Sequence, residues 1–192
     1  QAAIYSGLPE SVECLTINKM CGSGLKAVML AAQAIQCGDA EVIVAGGMEN
    51  MSLAPFIIPR ARTGLRLGHT ELVDSIITDG LWDVYNDKHM GSCTETCVRK
   101  YQFTREEQDE FARESYTRAQ KAQQDGTFET EIVPVEIKDR KGNVSEVTED
   151  DEPQRANFEK MTKISPAFEK DGTVTAANAS KINDGAAAVV MM

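Results

Sequence analysis

T-I-N-K-M-C-G-S-G-L-K-A-V-M-L-A-A-Q-A-I, residues 16–35, changes its apolar period halfway. Up to Met20 it belongs to an extended run, E-C-L-T-I-N-K-M at 13–20, which reads as a buried strand. From 22 to 37, Leu25, Val28, Met29, Ala32 and Ile35 recur at helical spacing, and Gly38 is a natural stop. E-V-I-V-A-G-G at 41–47 is a second short strand, so nearly all apolar that burial on both faces is expected. Strand, helix and strand with tight joints predict a βαβ unit, which makes the first third α/β.

Working outward, residues 54–91 carry Pro55, Pro59, Gly64, Gly68 and Gly80 with weak periodicity: a loop-rich stretch with one short helix expected near 70–79. Ser92 with Glu95 reads as a capping box opening a helix to about Tyr101, and Thr104 with Glu107 as a second one. The helix from 105 to about 124 is expected to bury Phe111, Ala112, Tyr116 and Ala119 and to stop at Gly126. E-I-V-P-V-E-I at 131–137 is an edge strand interrupted by Pro134, K-G-N at 141–143 a turn, and E-D-D-E at 149–152 a solvated acidic loop. The run from Ala186 is again a buried strand. The organisation predicted is an α/β layer over 1–53, an inserted domain over 54–180, and a return strand at 181–192.

The chain has 192 residues, a net charge of −10 and 42% hydrophobic residues. Its acidity argues against nucleic acid and anionic membrane as partners, since both reward positive fields. No apolar run approaches the ~20 residues of a membrane span. The opening Q-A-A-I-Y-S-G-L-P-E has no signal-peptide pattern and no initiator Met, and reads as the middle of a helix with its following loop, so a fragment is expected. The five cysteines, Cys14, Cys21, Cys37, Cys93 and Cys97, form an odd, dispersed set, which favours a reducing compartment over a disulfide framework. Cys93 and Cys97 share a helix face without a nearby His, which makes a poor metal site.

Cys21 stands where the strand gives way to the helix. The first turn of a helix offers unpaired N–H groups and the positive end of the macrodipole, both of which favour a thiolate and can face an oxyanion beside the sulfur. Gly22 and Gly24 clear side chains where a substrate or a neighbouring backbone comes close. This is the logic of a nucleophile elbow, with sulfur in place of oxygen. The alternative is a buried cysteine among small residues at a crowded joint, and spacing alone leaves both open.

N-K-M-C-G-S-G-L-K-A closely resembles the nucleophile segment of the thiolases. The resemblance continues through V-A-G-G-M-E-N-M-S, D-G-L-W-D-V-Y-N-D-K-H-M-G, E-I-V-P-V and T-V-T-A-A-N-A-S-K-I-N-D-G-A-A-A, in the family's order and over essentially the whole chain. V-Y-N-D-K-H-M-G-S-C, the segment at 115–119 and R-A-N-F-E-K at 155–160 are most similar to the mitochondrial-type acetoacetyl-CoA thiolases. The resemblance implies an α/β thiolase-like layered fold, here a partial N-terminal half with an inserted α+β loop domain. It implies an acyltransferase that cleaves acetoacetyl-CoA by thiolysis and, in reverse, condenses two acetyl-CoA through an acetyl-cysteine on Cys21.

By position the resemblance also implies contacts to coenzyme A from Leu81, His89, Met90, Tyr116, Arg155, Ala156, Asn157, Lys160, Ser180 and Ile182. Asn157 stands where the family pattern R-x-D-x-x-K has an acid. Potassium would be held by Tyr116, Ala176, Ala177 and Ala179, mostly through backbone oxygens, and coenzyme A would be a substrate with no tightly bound cofactor. A homotetramer of the full-length protein, to which P-R-A-R-T-G-L-R-L-G contributes, and a mitochondrial-matrix or cytoplasmic location complete what is implied. Each cation, His89 and Met90 has a plainer alternative, as a solvated surface charge, a loop histidine and a core methionine. The family's G-H-P histidine, N-E-A-F segment and C-x-G-G-G cysteine do not occur in these residues, so the chain alone is expected to be inert. A degradative 3-ketoacyl-CoA thiolase and a non-catalytic CoA-binding or oligomer-scaffold piece are the alternatives. The H-M-G and N-A-S blocks speak against a β-ketoacyl synthase.

Overall fold

A computed structural model describes residues 1–192. In chain order the elements are α1 (Ala2–Tyr5), α2 (Ser23–Cys37), β1 (Ile43–Asn50), β2 (Phe56–Ile57), β3 (Val73–Asp74), β4 (Trp82–Asp83), β5 (Lys88–His89), α3 (Met90–Tyr101), α4 (Arg105–Gln124), β6 (Val135–Lys138), β7 (Val144–Val147), α5 (Phe158–Met161) and β8 (Asp184–Met191). They form two compact units, Gln1–Gly80 with Ile182–Met192, and Leu81–Lys181. The boundary drawn from composition at 54 and the one drawn by packing therefore differ. Composition marks where the periodic pattern stops, but β2 and β3 still pair within the first unit, Phe56 opposite Asp74 and Ile57 opposite Val73. No helix is long and apolar enough to cross a membrane.

In the first unit α2 begins and ends close to where its sequence places it. Gly38 closes it at φ 78°, and the Asp39 N–H reaches back to the Ala34 carbonyl at 2.9 Å. The strands differ from expectation. Residues 13–20 form no strand, and their only β contact is an isolated bridge from Lys19 to Cys21. Without a ladder, residues 13–17 have no backbone hydrogen-bond partner, and Leu15 is left exposed. The βαβ reading fails with it, because β1 pairs instead with β8, antiparallel, from Ile43 opposite Met191 to Asn50 opposite Asp184. Nor are β1 and β8 buried on both faces: Ala45 is the one buried residue of β1, while Val44, Met48, Val189 and Val190 stand exposed. Two strands and one helix supply too few layers to cover both sides of a sheet.

Glycine sets how closely those layers approach. A Cβ on Gly47 would lie 3.1 Å from the Gly24 Cα, so α2 and β1 touch backbone to backbone. A Cβ on Gly46 would lie 2.4 Å from the Ala187 carbonyl oxygen across the strand pair. The far end of the pair is closed by the Ser52 N–H, which donates to the Asp184 carboxylate at 2.9 Å.

In the second unit the capping box of α4 forms as its sequence dictates. The Thr104 hydroxyl accepts from the Glu107 N–H at 3.1 Å, and the Glu107 carboxylate accepts from the Thr104 N–H at 2.8 Å. The box expected for α3 does not form. That helix starts at Met90, capped by the His89 ring, whose Nδ1 accepts from the Gly91 N–H at 3.0 Å. On α4, Phe111 is exposed and Asp109 is buried, because the inner face of the helix meets a polar network. Pro134 ends the irregular approach to β6, which pairs with β7 in a four-residue hairpin. The Asp139 carboxylate holds that turn by accepting from the Lys141 and Asn143 N–H groups at 2.8 and 2.9 Å. The expected helix near 70–79 is a single π-helical turn at Ile76–Leu81. The buried apolar side chains of this unit are Val98, Pro153, Met161 and Val174.

Gly46→Ala is expected to lower stability by about 1–3 kcal/mol in denaturant unfolding, while Gly185→Ala, where an added Cβ meets open space, stays within about 0.5 kcal/mol. The Ser52 backbone N–H, aided by the Ser52 hydroxyl and the Met51 backbone, holds the Asp184 carboxyl below the ordinary carboxylate range. Folding therefore favours the ionised form. The resulting stability is present above the unfolded value of ~3.9 and is lost as pH falls through the lowered folded value. Asp184→Asn should remove that part of the acid sensitivity in melting curves taken across the acidic range.

Candidate active site

Cys21 is exposed, which overturns its reading as a buried packing cysteine. The residue before it, Met20, has φ 50°, a left-handed conformation unusual for a side chain of that size. Three hydrogen bonds hold this turn. The Met20 N–H donates to the Asn18 side-chain oxygen at 2.8 Å, the Lys19 N–H to the Ser23 hydroxyl at 2.9 Å, and that hydroxyl to the Met20 carbonyl at 2.8 Å. A strained turn latched on both sides lifts the thiol clear of the chain at the head of α2.

The helix-start donors differ from expectation. The Gly22 N–H bonds the Lys19 carbonyl at 3.1 Å and the Ser23 N–H the Met20 carbonyl at 3.2 Å, so the two groups nearest the sulfur are already engaged. Those of Gly24 and Leu25 have no backbone partner and remain for an anion. Gly24 owes its lack of a side chain to the contact with Gly47. Of the other thiols, Cys14, Cys37 and Cys97 are exposed as well. Cys93 is different: partial burial, reinforced by the adjacent Asp83 carboxylate, pushes its thiol up, and its Sγ donates to that carboxylate at 3.6 Å.

In the second unit, Tyr116, Arg155, Ala156, Asn157, Lys160, Ala176 and Ala177 line one depression of about 230 Å³. Seven of the positions singled out from sequence thus come together. Arg155 and Lys160 bring two cations to its edge, Lys181 brings a third, and Glu152 is the one carboxylate in its wall. That is a local positive balance in an acidic chain, suited to an anionic ligand. Arg155 also pairs with Asp151. Asn157 caps α5: its side-chain oxygen accepts from the Lys160 N–H at 3.1 Å. An acid at this position would cap equally well, so the departure from the family pattern leaves the local fold intact.

The remaining expected contacts lie elsewhere. His89 is half-buried and stacked on Phe168 with centroids 4.9 Å apart, and Met90 is exposed beside it at the head of α3. Leu81 and Ser180 belong to the same unit but not to the depression, while Cys21 and Ile182 belong to the first unit. The Ala179 N–H closes a turn onto the Thr175 carbonyl at 2.9 Å.

The loop that carries Ala176 and Ala177 hangs on Glu95, read from sequence only as a capping-box acid, and on Asp109 and Asn178. The Glu95 carboxylate, buried on α3, accepts from the Thr173 N–H at 2.8 Å and the Val174 N–H at 2.7 Å. Asn178 donates to Asp109 at 3.0 Å and accepts from the Thr175 N–H at 2.7 Å. Asp109 is in turn paired with Arg105 at 2.8 Å, whose guanidinium also donates to the Met161 and Ile164 carbonyls at 3.0 Å. Glu152, read from sequence as part of a solvated loop, accepts from the Tyr116 hydroxyl at 3.2 Å. Glu95 was legible in principle, since with Gly91 and Val98 it completes the inward face of α3.

The donor set implied for potassium meets an obstacle. The Lys181 ammonium donates to the Ala176 carbonyl and lies 3.3 Å from the Glu152 carboxylate. A second cation touching the same carbonyl would face repulsion of about 4 kcal/mol at 4 Å in surroundings of intermediate polarity. The residues as placed therefore do not fit a free potassium ion.

The whole chain, residues 1–192, matches the family described as thiolase, N-terminal domain. The chain belongs to this family. Curated relatives include the acetyl-CoA acetyltransferases of Pseudomonas aeruginosa and of Yarrowia lipolytica, each 58% identical over all of this thiolase chain and 49% and 47% of their own length. Among solved structures, the crystal structure of Acat5 thiolase from Ascaris suum in complex with coenzyme A matches with a TM-score of 0.89 and 47% identity, over 98% of this chain and 47% of that one. The thiolase chain thus spans about half the length of these relatives. Its mixed α/β architecture is that of the thiolase N-terminal domain.

Glu95→Ala should lower the stability of the thiolase chain by about 3 kcal/mol, because it strands the buried Val174 N–H and the part-buried Thr173 N–H, and Glu95→Gln by less. Denaturant unfolding of both variants checks the order.

Proposed function

We propose that the protein carrying this chain is an acetyl-CoA C-acetyltransferase with Cys21 as the acyl carrier. The supporting observation is the exposed thiol on a strained, doubly latched elbow, in a chain 58% identical to enzymes named acetyl-CoA acetyltransferase. The Cys21 thiolate attacks the carbonyl carbon of acetyl-CoA. The carbon–sulfur bond to CoA breaks, CoA leaves as its thiolate and takes a proton, and acetyl remains on the cysteine. A second acetyl-CoA loses a methyl proton, and its carbanion attacks that thioester. A carbon–carbon bond forms, the Cys21 sulfur leaves, and acetoacetyl-CoA is released. Thiolysis runs these steps backwards. The family's base and acid belong to motifs outside these residues.

The depression at Arg155, Lys160 and Lys181 suits the phosphate-bearing end of coenzyme A, and the complex of the Ascaris suum thiolase with that molecule supports this reading. His89 and Met90, at the head of α3, and Ser180 are proposed for the thioester-bearing arm on resemblance alone. A tetramer, a role in ketone-body metabolism and a place in the mitochondrial matrix belong to the same proposal and have the same support.

The test is a rapid quench of the full-length protein with acetyl-CoA alone, followed by peptide mapping. Acetyl is expected on Cys21, and Cys21→Ala should lose at least ~10³-fold in turnover. Acetyl on another cysteine, or ordinary turnover in that variant, would overturn the assignment. Alkylation extent is a poorer readout, because three other thiols are also exposed; Cys93 should label slowest.

A further inference from the structure

The wall of the depression holds a cation of its own. Lys181 is half-buried, and its ammonium reaches the Ala176 carbonyl on one side and the Glu152 carboxylate on the other. The same Glu152 oxygen accepts the Tyr116 hydroxyl at 3.2 Å, so one carboxylate joins the tyrosine of α4 to the lysine at the end of the T-V-T-A-A-N-A-S loop. The loop is anchored independently at its start by Glu95 and in its middle by Asp109 through Asn178. The ammonium adds a hold on Ala176, between those two anchors. Side-chain exposure of 29% for Lys181 and 23% for Glu152 places the pair well away from a fully solvated surface, where such contacts contribute little.

We infer that Lys181 is a built-in monovalent cation, which joins the Ala176 carbonyl to the Glu152 carboxylate and makes this loop independent of added potassium. A monovalent cation of potassium's kind and a primary ammonium make a similar demand: a few oxygens converging on a single positive charge. Lys181 meets that demand with a charge tethered to the chain. It pays no association entropy and is not lost by dilution. It also keeps its positive charge in the wall of the depression whatever the salt.

The experiment uses the full-length protein in potassium, sodium and choline chloride at equal ionic strength. The unsubstituted protein should melt within about 1 °C in all three. Lys181→Ala should melt about 2–4 °C lower in choline, with potassium restoring most of the loss and choline none. Lys181→Met keeps the stem without the charge and should show the loss without the rescue, because its side chain fills the space an ion would take. A potassium-specific rise in the unsubstituted protein would overturn the inference. So would an undiminished melting point in Lys181→Ala or Lys181→Met, or a loss in Lys181→Ala that potassium does not restore. A second arm measures coenzyme A binding and rests on the function proposed above. Lys181→Ala should bind about tenfold more weakly in choline and recover in potassium. If melting behaves as expected and binding does not respond, the assignment of the depression to coenzyme A fails and the inference about Lys181 stands.

Discussion

A buried carboxylate on α3 governs the second unit. Glu95 has almost no solvent contact, and it reaches the Thr173 and Val174 N–H groups from a distant part of the sequence. Removing a charge from water is tolerable only when hydrogen bonds replace the lost hydration, and the loop N–H groups supply them. The constraint acts in both directions: the loop satisfies the carboxylate, and the carboxylate fixes where the loop begins. Gly172 fits against that carboxylate, since a Cβ there would lie 2.3 Å from its oxygen. The alanine carbonyls and Lys181 that follow inherit their positions from this anchor.

The first unit is organised around absent side chains. Gly24 and Gly47 let α2 lie directly on β1, and that contact fixes the head of α2 to which the Cys21 turn is joined. Asn18, Lys19, Met20 and Ser23 then form a closed set of short hydrogen bonds around the left-handed residue. The left-handed backbone at Met20 carries an energetic penalty of about 1–3 kcal/mol, and the surrounding bonds hold it. Every member of the set lies within six residues, so the elbow is a local construction.

That locality explains what the sequence disclosed. The helix at 23–37, its glycine stop, the capping box at Thr104 and the hairpin turn at K-G-N follow from neighbours in the chain, and the motif around Cys21 carried the family with it. The strand expected at 13–20, the double-sided burial of β1 and β8 and the inward Phe111 depended on partners far away or in other layers, which periodicity does not report. The depression shows the same division. Tyr116, Arg155, Lys160 and the alanines were legible through motifs, whereas Glu152, Glu95, Asp109 and Lys181 are polar residues whose partners lie tens of residues distant. A polar residue on a helix face or in an acidic run looks solvated until its partner is known.

The register of β1 against β8 has an evolutionary corollary. Asn50 and Asp184 face each other, and Ser52 and Asp184, 132 residues apart in sequence, share a hydrogen bond. Everything between them is, topologically, the loop of one hairpin. The entropy of closing a loop grows only logarithmically, by about 0.6 kcal/mol for each doubling, so the clasp is nearly indifferent to how much chain it encloses. Descendants of such a gene can lengthen, trim or exchange the enclosed segment while the thiol-bearing helix and its sheet remain as they were.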